Sequence, residues 1–419
     1  MKPFLRILVV VFMSAKAVLM AAPATDPALA AIRQQVAEMR QKLGDKAGLP
    51  EVADAYTPIP KDARWLTPVE AQPAFARSHA KLEKLRWWKI GLDPTTTEHA
   101  LREPAAVVSG CLAAVRAKLD GADRSLALAR EAGDFLAWAQ AEAGTGVFPF
   151  PAVRSGKGAA FVAAERFFAR AEREGKLADF VRRGWAFDDT GDGGLQFDNG
   201  EAGVAMFELY EATRAEKYLT SARRAADWAE RRALARNWNY NAFSVRLLAK
   251  AFAVTAERHY LDAATHKALV GVIPGQLTDG PRAGRWIDPH NARPAYHYIM
   301  MTALAELAGV LPADDPARGE IVASLKLGLR QRNREMVERG VMNKDKAMEA
   351  LLATRRVFAN DAAFLRDTLT TEALDVLGRF VSAQFLRGGE PLGPREWGMF
   401  LQLVVQGARP FPTEPPRQP

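Results

Sequence analysis

The chain has 419 residues, of which 48% are hydrophobic and 25% are charged, so it is an ordinary globular sequence of one large or two smaller domains. This composition excludes disorder, collagen and coiled coil as descriptions of the whole chain, and a formal net charge of +8, spread along the sequence, is too small to indicate a nucleic-acid partner. With Cys111 as its single cysteine, the chain has no internal disulfide and no paired cysteines for structural zinc, so a large buried core must stabilise it.

The first 24 residues have the pattern of a secretory signal peptide. Lys2 and Arg6 give a basic start, an apolar run extends to Ala15, and Ala22-Pro23-Ala24 is a small-residue cleavage site. Lys16 ends the run well short of the ~20 apolar residues that a spanning helix requires. We therefore predict residues 1–24 as a signal peptide and a periplasmic or secreted protein with no membrane attachment after cleavage; an uncleaved anchor is the alternative.

From Asp26 onward the apolar residues recur at intervals of three and four, which predicts an almost all-α protein. Residues 25–60 are expected to form an N-terminal helical arm, and the proline-rich tail 409–419, which cannot continue a helix, a disordered end. About a dozen helices are predicted, over residues 26–43, 68–89, 97–119, 123–143, 158–183, 200–213, 216–235, 241–256, 258–270, 294–311, 316–337, 361–387 and 394–408.

An internal repeat gives the most informative pattern. Tyr218-Leu219 is echoed by Tyr260-Leu261 forty-two residues later, and both pairs open an amphipathic helix that follows a mostly apolar helix and a tight polar turn. A weaker third copy begins at Pro294. The repeating unit is a helical hairpin whose apolar helix should lie inside and whose amphipathic helix should lie outside.

These hairpins, between about Phe148 and Leu311, resemble the α/α toroids of six-hairpin glycosidases and several polysaccharide lyase families. The resemblance implies an (α/α) toroid with inner and outer helices over residues 61–408, and a carbohydrate substrate. Toroids also serve as epimerases, terpene cyclases and prenyltransferases, so the function must be argued from the site. In a toroid the loops before inner helices gather at one mouth of the ring.

The loop over residues 285–298 is the richest in unusual side chains. It contains Trp286, Asn291 and Arg293, followed by Tyr296 and His297 in the first turn of a helix that begins at Pro294. His290 belongs to the same loop. Capping and packing are alternative roles for each residue, but as a group such side chains are costly to bury without a function.

Two further loops should reach the same mouth. The segment from Trp185 to Glu201 carries five acids and no base, which is typical of catalytic carboxylates such as Asp188 and Asp189 or of a calcium loop, although its spacing does not fit the EF-hand. No other metal or cofactor is expected. Residues 237–241 combine aromatic rings with amides, which suits a sugar surface: the side chains are Trp238, Asn239, Tyr240 and Asn241.

Three functions remain open at this stage. A lyase acting on a uronate-containing, hence anionic, glycan by β-elimination needs a carboxylate binder, a base and a proton donor, and toroid lyases use Asn, His, Tyr and Arg in these roles. A glycoside hydrolase would need two carboxylates, for which Asp188, Asp189, Asp192, Asp198, Glu201 and Asp288 are available. A non-catalytic glycan-binding protein is the third alternative. The predicted catalytic residues are His290, His297, Tyr296, Tyr240, Asp188 and Asp189, and the predicted substrate-binding residues are Asn239, Asn241, Asn291, Arg293, Trp185, Trp238 and Trp286.

Overall fold

A computed structural model describes residues 27–119, 121–288 and 290–406. The predicted signal peptide and the proline-rich tail lie outside these ranges. No helix within them is both long and apolar enough to cross a membrane.

The described residues form sixteen α-helices and three two-residue strands. The strands β1 (Phe150–Pro151), β2 (Val181–Arg182) and β3 (Trp185–Ala186) make a small antiparallel sheet in the order β1-β3-β2. The helices are α1 (Pro27–Leu43), α2 (Pro68–Leu85), α3 (Arg102–Arg116), α4 (Ala122–Ala143), α5 (Ala159–Arg173), α6 (Leu177–Phe180), α7 (Gly194–Thr213), α8 (Glu216–Arg231), α9 (Trp238–Thr255), α10 (Arg258–Gly271), α11 (Pro294–Val310), α12 (Pro316–Arg339), α13 (Lys344–Val357), α14 (Ala362–Asp367), α15 (Thr370–Leu386) and α16 (Pro394–Val405).

Six of these helices form a closed inner ring. The helices α3, α7, α9, α11, α13 and α16 each pack against the next, and α16 returns to pack against α3. The helices α4, α8, α10, α12 and α15 cover the ring from outside, each against the inner helix before it, while α2 covers α16. Because one antiparallel outer helix separates successive inner helices, all six inner helices begin at the same end. This arrangement confirms the predicted all-α toroid.

The repeated tyrosines hold neighbouring outer helices together. The Tyr218 hydroxyl, at the start of α8, donates to Asp134 of α4 at 2.9 Å. One hairpin later the Tyr260 hydroxyl, at the start of α10, donates to Asp227 of α8 at 2.6 Å. Both rings are buried, so the repeat seen in the sequence is the same contact made twice around the ring.

Several helix bounds differ from the predicted ones: α7 begins at Gly194 rather than at residue 200, and the predicted helix 361–387 is divided into α14 and α15. The predicted helix 158–183 is shorter, because α5 ends at Arg173 and residues 181–182 belong to the sheet. The helix α13 was not predicted at all. Its charged residues Lys346, Glu349 and Arg355 interrupt the apolar periodicity that marks the other inner helices.

The ring closes through a glycine contact between its first and last helices. A Cβ atom added to Gly110 of α3 would lie 1.9 Å from the carbonyl oxygen of Pro394 at the start of α16. A Cβ atom on Gly398 of α16 would lie 2.3 Å from the carbonyl oxygen of Gly110. The two backbones therefore touch, and any side chain at these positions would force the seam apart.

We expect Gly110→Ala to lower the free energy of unfolding by about 1–3 kcal/mol, because overpacking at a rigid backbone contact cannot relax. The matched control is Gly319→Ala on the outer helix α12, where an added Cβ atom meets nothing within 4 Å; it should stabilise by about 0.5–1 kcal/mol, since alanine costs less backbone entropy in a helix. Urea unfolding of both variants measures the difference. Equal midpoints would mean that the ring does not depend on this seam.

Candidate active site

The three loops predicted to share a site do meet at the end where the inner helices begin. The backbone N–H of Asn239 donates to Asn291 Oδ1 at 3.3 Å, and Asn291 Nδ2 donates to Asn237 Oδ1 at 3.4 Å. A Cβ atom on Gly193 would lie 2.9 Å from the Tyr240 ring. The loop 237–241 thus contacts both the loop 285–298 and the loop 185–201.

The three predicted sugar-stacking tryptophans lie in the core. Trp185 packs against Phe135 and Trp138, and Trp286 donates its indole N–H to the carbonyl of Val272 at 2.8 Å. Trp185, Trp238 and Trp286 are 1%, 4% and 0% exposed. Their role as a stacking surface is not supported, because in this structure no ring has a face open to a ligand.

Several predicted polar residues hold the loops together. The side-chain amide of Asn241 accepts from the backbone N–H of Ala235 at 2.8 Å and donates to the carbonyls of Ala235 and Gly271 at 3.0 and 2.8 Å. Asn239 and Asn291 are also buried and lie in the contact between loops. The amides of Asn241 and Asn291 satisfy buried backbone groups, which otherwise cost free energy.

The acidic loop is organised around Asp189. Its buried carboxylate accepts backbone N–H groups of Gly191, Gly193 and Leu195 at 3.0–3.1 Å and pairs with Arg232. Burial raises the pKa of Asp189, although Arg232 opposes the shift. Asp188 accepts from the backbone N–H of Thr190 at 2.9 Å. Across the described ranges, no three His, Cys, Asp or Glu side chains are grouped so that they could hold a metal ion.

His297 is buried between α11 and α12. Arg332 Nε lies 2.9 Å from its Nδ1, and the backbone nitrogen of Trp286 lies 3.2 Å from its Nε2. Burial and then the cations Arg332 and Arg285 lower the pKa of His297 well below its usual value. A general base must reach the proton that it removes, and both ring nitrogens here face protein N–H groups.

The other predicted residues are half-buried at the mouth. The His290 and Tyr296 rings are in contact, with centroids 4.7 Å apart, and Arg293 pairs with Glu51 of the N-terminal arm. Tyr240 is also half-buried. Together with Asp188, whose side chain is about one-third exposed, these four side chains are the part of the predicted site that a ligand can approach.

A cavity of about 460 Å³ opens at the same end of the ring, where α3, α7, α13 and α16 begin. We call it the axial cavity. None of the thirteen predicted site residues lines it, although Glu201 was among the carboxylates considered for hydrolysis. Its lining includes Trp87, His99, Arg102, Glu103, Phe197, Glu201, Asp345, Lys346, Gly393, Arg395 and Glu396.

Aromatic rings and charged groups form the rim of the axial cavity. Trp87 stacks on His99 with ring centroids 4.7 Å apart and planes 15° from parallel. Glu103 Oε2 lies 3.1 Å from Trp87 Nε1 and 2.8 Å from His99 Nδ1. The Arg102 guanidinium lies over the Phe197 ring, 4.4 Å from its centroid. Flat apolar faces beside hydrogen-bonding groups are the surface that a sugar ring requires.

A buried ion network lies below the rim, along the axis of the ring. Arg246 of α9 lies 2.6 Å from Glu349 of α13 and 3.1 Å from Glu306 of α11. Arg395 of α16 contacts Glu201 of α7 and lies 3.3 Å from Glu349. Lys346 lies 3.1 Å from Glu201 and 3.2 Å from Glu349. Five of the six inner helices therefore supply a charge to one network.

The carboxyl groups in and beside the network have pKa values shifted in opposite directions. Burial disfavours ionisation of Glu201, but Arg395 and Lys346 outweigh it and lower the pKa; Arg246 and Lys346 hold the pKa of Glu349 well below its usual value. Burial raises the pKa of Glu396 to about 7, and the described residues give its carboxyl group no ion pair. Neighbouring carboxyls with divergent pKa values are the pattern of an acid beside carboxylates.

Two carboxyl groups of the axial cavity lie beside one glycine. Asp345 Oδ1 accepts the backbone N–H of Gly393 at 3.0 Å. A Cβ atom on Gly393 would lie 2.9 Å from Glu396 Oε2, which places that oxygen beside the glycine. Asp345 and Glu396 therefore lie at the same wall of the cavity.

One solved structure supports this fold. No protein-family model matches the sequence, and no curated protein sequence matches it either. A solved polysaccharide lyase is similar to this chain over 82% of its length and 97% of the lyase, with a TM-score of 0.50 at 12% identity. Two others are a glycosyl hydrolase of family 88 from Bacteroides vulgatus (82% and 99% covered, TM-score 0.49, 12% identity) and a sugar epimerase from a ruminal bacterium (89% and 99% covered, TM-score 0.45, 10% identity). The lyase has the same α/α-toroid fold.

Proposed function

We propose that this protein is a carbohydrate-active enzyme that hydrolyses a glycosidic bond in the axial cavity. The observation that carries the proposal is the carboxyl pair beside Gly393, because the pKa of Glu396 near 7 leaves it a proton to donate at neutral pH. Asp345 lies on the same wall. The toroid fold and the aromatic rim support a sugar as the substrate.

The proposed reaction follows the two-carboxyl scheme of glycoside hydrolysis. Glu396 gives its proton to the oxygen of the leaving sugar as the bond from that oxygen to the anomeric carbon breaks. In the inverting form, Asp345 takes a proton from a water whose oxygen bonds to the anomeric carbon. The charges of Glu201 and Glu349 are balanced by Arg395, Lys346 and Arg246, so Glu396 is the carboxyl of this group that carries the transferable proton.

The lining also bears on the substrate. Trp87, which carries His99 on one face, can cover one face of a pyranose ring. The charged groups of the lining have both signs, with Arg102, Lys346 and Arg395 beside Glu103, Glu201, Asp345 and Glu396, so they select neither an acidic nor a neutral sugar. Export to the periplasm or medium is part of the same proposal and rests on the N-terminal sequence alone.

Lyase chemistry is a second candidate, favoured by the contact between His290 and Tyr296 at the mouth. A β-elimination there would use one of these groups to remove the proton next to the uronate carboxylate and the other to protonate the leaving oxygen. Neither residue lines the axial cavity, so the two reactions would occur at different places and can be separated by mutation.

A screen of anionic and neutral polysaccharides tests these functions. New reducing ends and ultraviolet absorbance at about 235 nm, where an unsaturated uronate absorbs, are followed together because only elimination produces both. We expect reducing ends without absorbance. Absorbance that is lost in Tyr296→Phe would establish the lyase instead, and saturable binding with neither signal would establish a glycan-binding protein.

A further inference from the structure

The lining of the axial cavity is divided between structural elements into an apolar part and a charged part. The starts of α13 and α16 supply charged groups, among them Asp345 and Glu396. The apolar part comes from α2, the loop after it and α3, and consists of Leu82, Leu85, Trp88, Ala106 and Val107. A ligand that complements this lining has a polar portion and an apolar portion.

The polar residues of the segment 82–107 already contact one another or a neighbour. Glu103 Oε2 lies within hydrogen-bond distance of both Trp87 Nε1 and His99 Nδ1. Arg102 Nε lies 3.7 Å from the buried carboxylate of Asp198. This segment therefore offers a ligand mostly apolar surface.

The apolar lining extends from the interior of the cavity to solvent. Val107 is 2% exposed and Leu82 is 7% exposed, whereas Leu85, nearly one turn further along α2, is 56% exposed. A single exposed leucine is ordinary on a protein surface, but Leu85 borders a cavity whose inner lining is apolar as well. An elongated apolar group can follow this surface outward.

The apolar lining adjoins the proposed catalytic acid. The backbone of Gly110 touches the carbonyl of Pro394, and Val107 lies one turn nearer the mouth on the same helix. Near the end of α2, Lys81 pairs with Glu390 at 2.6 Å, just before α16 begins. Both helices thus bring apolar side chains to the start of α16, where Glu396 lies.

We propose that this apolar lining is the subsite for the leaving group, and that the preferred substrate is a glycoside of an apolar alcohol, with an alkyl or aryl aglycone. The inference rests on the proposed hydrolysis and specifies its substrate. The bond between the anomeric carbon and the aglycone oxygen breaks, and that oxygen takes the proton of Glu396. Water supplies the hydroxyl group of the sugar and gives its other proton to Asp345, while the aglycone, held against Leu82, Leu85 and Val107, leaves as the alcohol.

Matched methyl and n-octyl glycosides of glucose, galactose and glucuronic acid, in both anomeric forms, test this subsite below their micelle-forming concentrations. The two leaving alcohols are of similar acidity, so a difference in kcat/KM within a pair reports binding of the alkyl chain. We expect the octyl member of a hydrolysed pair to have a kcat/KM about tenfold or more higher, which corresponds to the burial of about two methylene groups. The difference should appear mainly in KM, since the chain is bound equally in the ground state and the transition state.

Leu85→Ser and Val107→Thr should each reduce the octyl preference by about threefold or more, because each replaces apolar contact of about one methylene group with a hydroxyl group. Leu85 is exposed, so its replacement leaves the core intact, and threonine keeps the shape of Val107. The matched control is Leu386→Ser, at the end of α15, where the leucine is 43% exposed. A loss of folded protein lowers both members of a pair equally and leaves their ratio unchanged.

Equal kcat/KM values within every hydrolysed pair, or a preference that neither variant reduces, would overturn the subsite and leave the proposed hydrolysis standing. If no pair is hydrolysed, which counts against the proposed function, calorimetry with the same glycosides decides. Tighter binding of the octyl glycoside that Val107→Thr weakens and Leu386→Ser does not would support the subsite alone. Equal binding within each pair, or none, would overturn it.

Discussion

Glu396→Gln is expected to lower kcat for glycan hydrolysis by about 10²–10⁴, the usual contribution of general acid catalysis. Glutamine keeps the size and the neutral charge of the protonated carboxyl group but has no proton to donate. In the wild-type enzyme, kcat should fall as the pH rises through about 7, because Glu396 loses its proton there. Initial rates of reducing-end release between pH 5 and about 9 measure both effects.

Measuring the stability of Glu396→Gln distinguishes a loss of catalysis from a loss of folded protein. The raised pKa of Glu396 means that the unfolded chain gives up this proton at a lower pH than the folded protein does, so wild-type stability falls as the pH rises from the unfolded-state pKa towards about 7. Glu396→Gln should lack that loss and be the more stable protein at pH 8. Glu372→Gln, at an exposed position of the outer helix α15, is the control and should leave the activity unchanged. Full activity in Glu396→Gln would rule out its role as the acid.

Arg395→Met is expected to lower the free energy of unfolding by about 3–5 kcal/mol at neutral pH, because it leaves buried carboxylates without their cation. Glu201 loses its contact with this guanidinium, and Glu349 loses one at 3.3 Å. The deficit should shrink as the pH is lowered, since protonation of Glu201 and Glu349 removes the unbalanced charge. Urea unfolding at several pH values gives the measurement.

The control for the ion network is Arg379→Met. Arg379 pairs with Asp375 at 2.9 Å on one face of the outer helix α15, and both side chains are about one-third exposed. A partly exposed pair of this kind contributes about 1 kcal/mol or less. Similar losses in the two variants would mean that the axial network does not stabilise the ring, whereas partial rescue of Arg395→Met by Glu349→Gln would support the charge balance described here.

The fold could be predicted because its repeat is local. A tyrosine at the start of two outer helices, Tyr218 and Tyr260, and an apolar helix before each of them recur forty-two residues apart in the sequence, and closure of the ring follows from stacking such hairpins. The helix α13 was missed because periodicity analysis treats charges as solvent-facing, while Lys346 and Glu349 point to the axis of the ring.

The axial network could not be predicted from spacing, because its partners are far apart in the chain. Arg395 and Glu201 meet only when the ring closes. The sequence nevertheless contained an indication of the network. The inner helices are apolar nearly all round, so a charged residue within one of them is expected to have a charged partner. Glu201, Arg246 and Glu306 stand out in this way. The site was predicted in the loops because their side chains are unusual. Many of these side chains, such as Asn241, form hydrogen bonds to loop backbone that is buried at the mouth.

The most direct test of the axial cavity as the active site is a crystal structure of Glu396→Gln with an oligosaccharide cleaved by the wild-type enzyme. We expect the sugar in the axial cavity, with a pyranose ring against Trp87 and the glycosidic oxygen within hydrogen-bond distance of residue 396. A sugar bound instead against Tyr240, His290 and Tyr296, with the axial cavity empty, would contradict the assignment and return the active site to the loops.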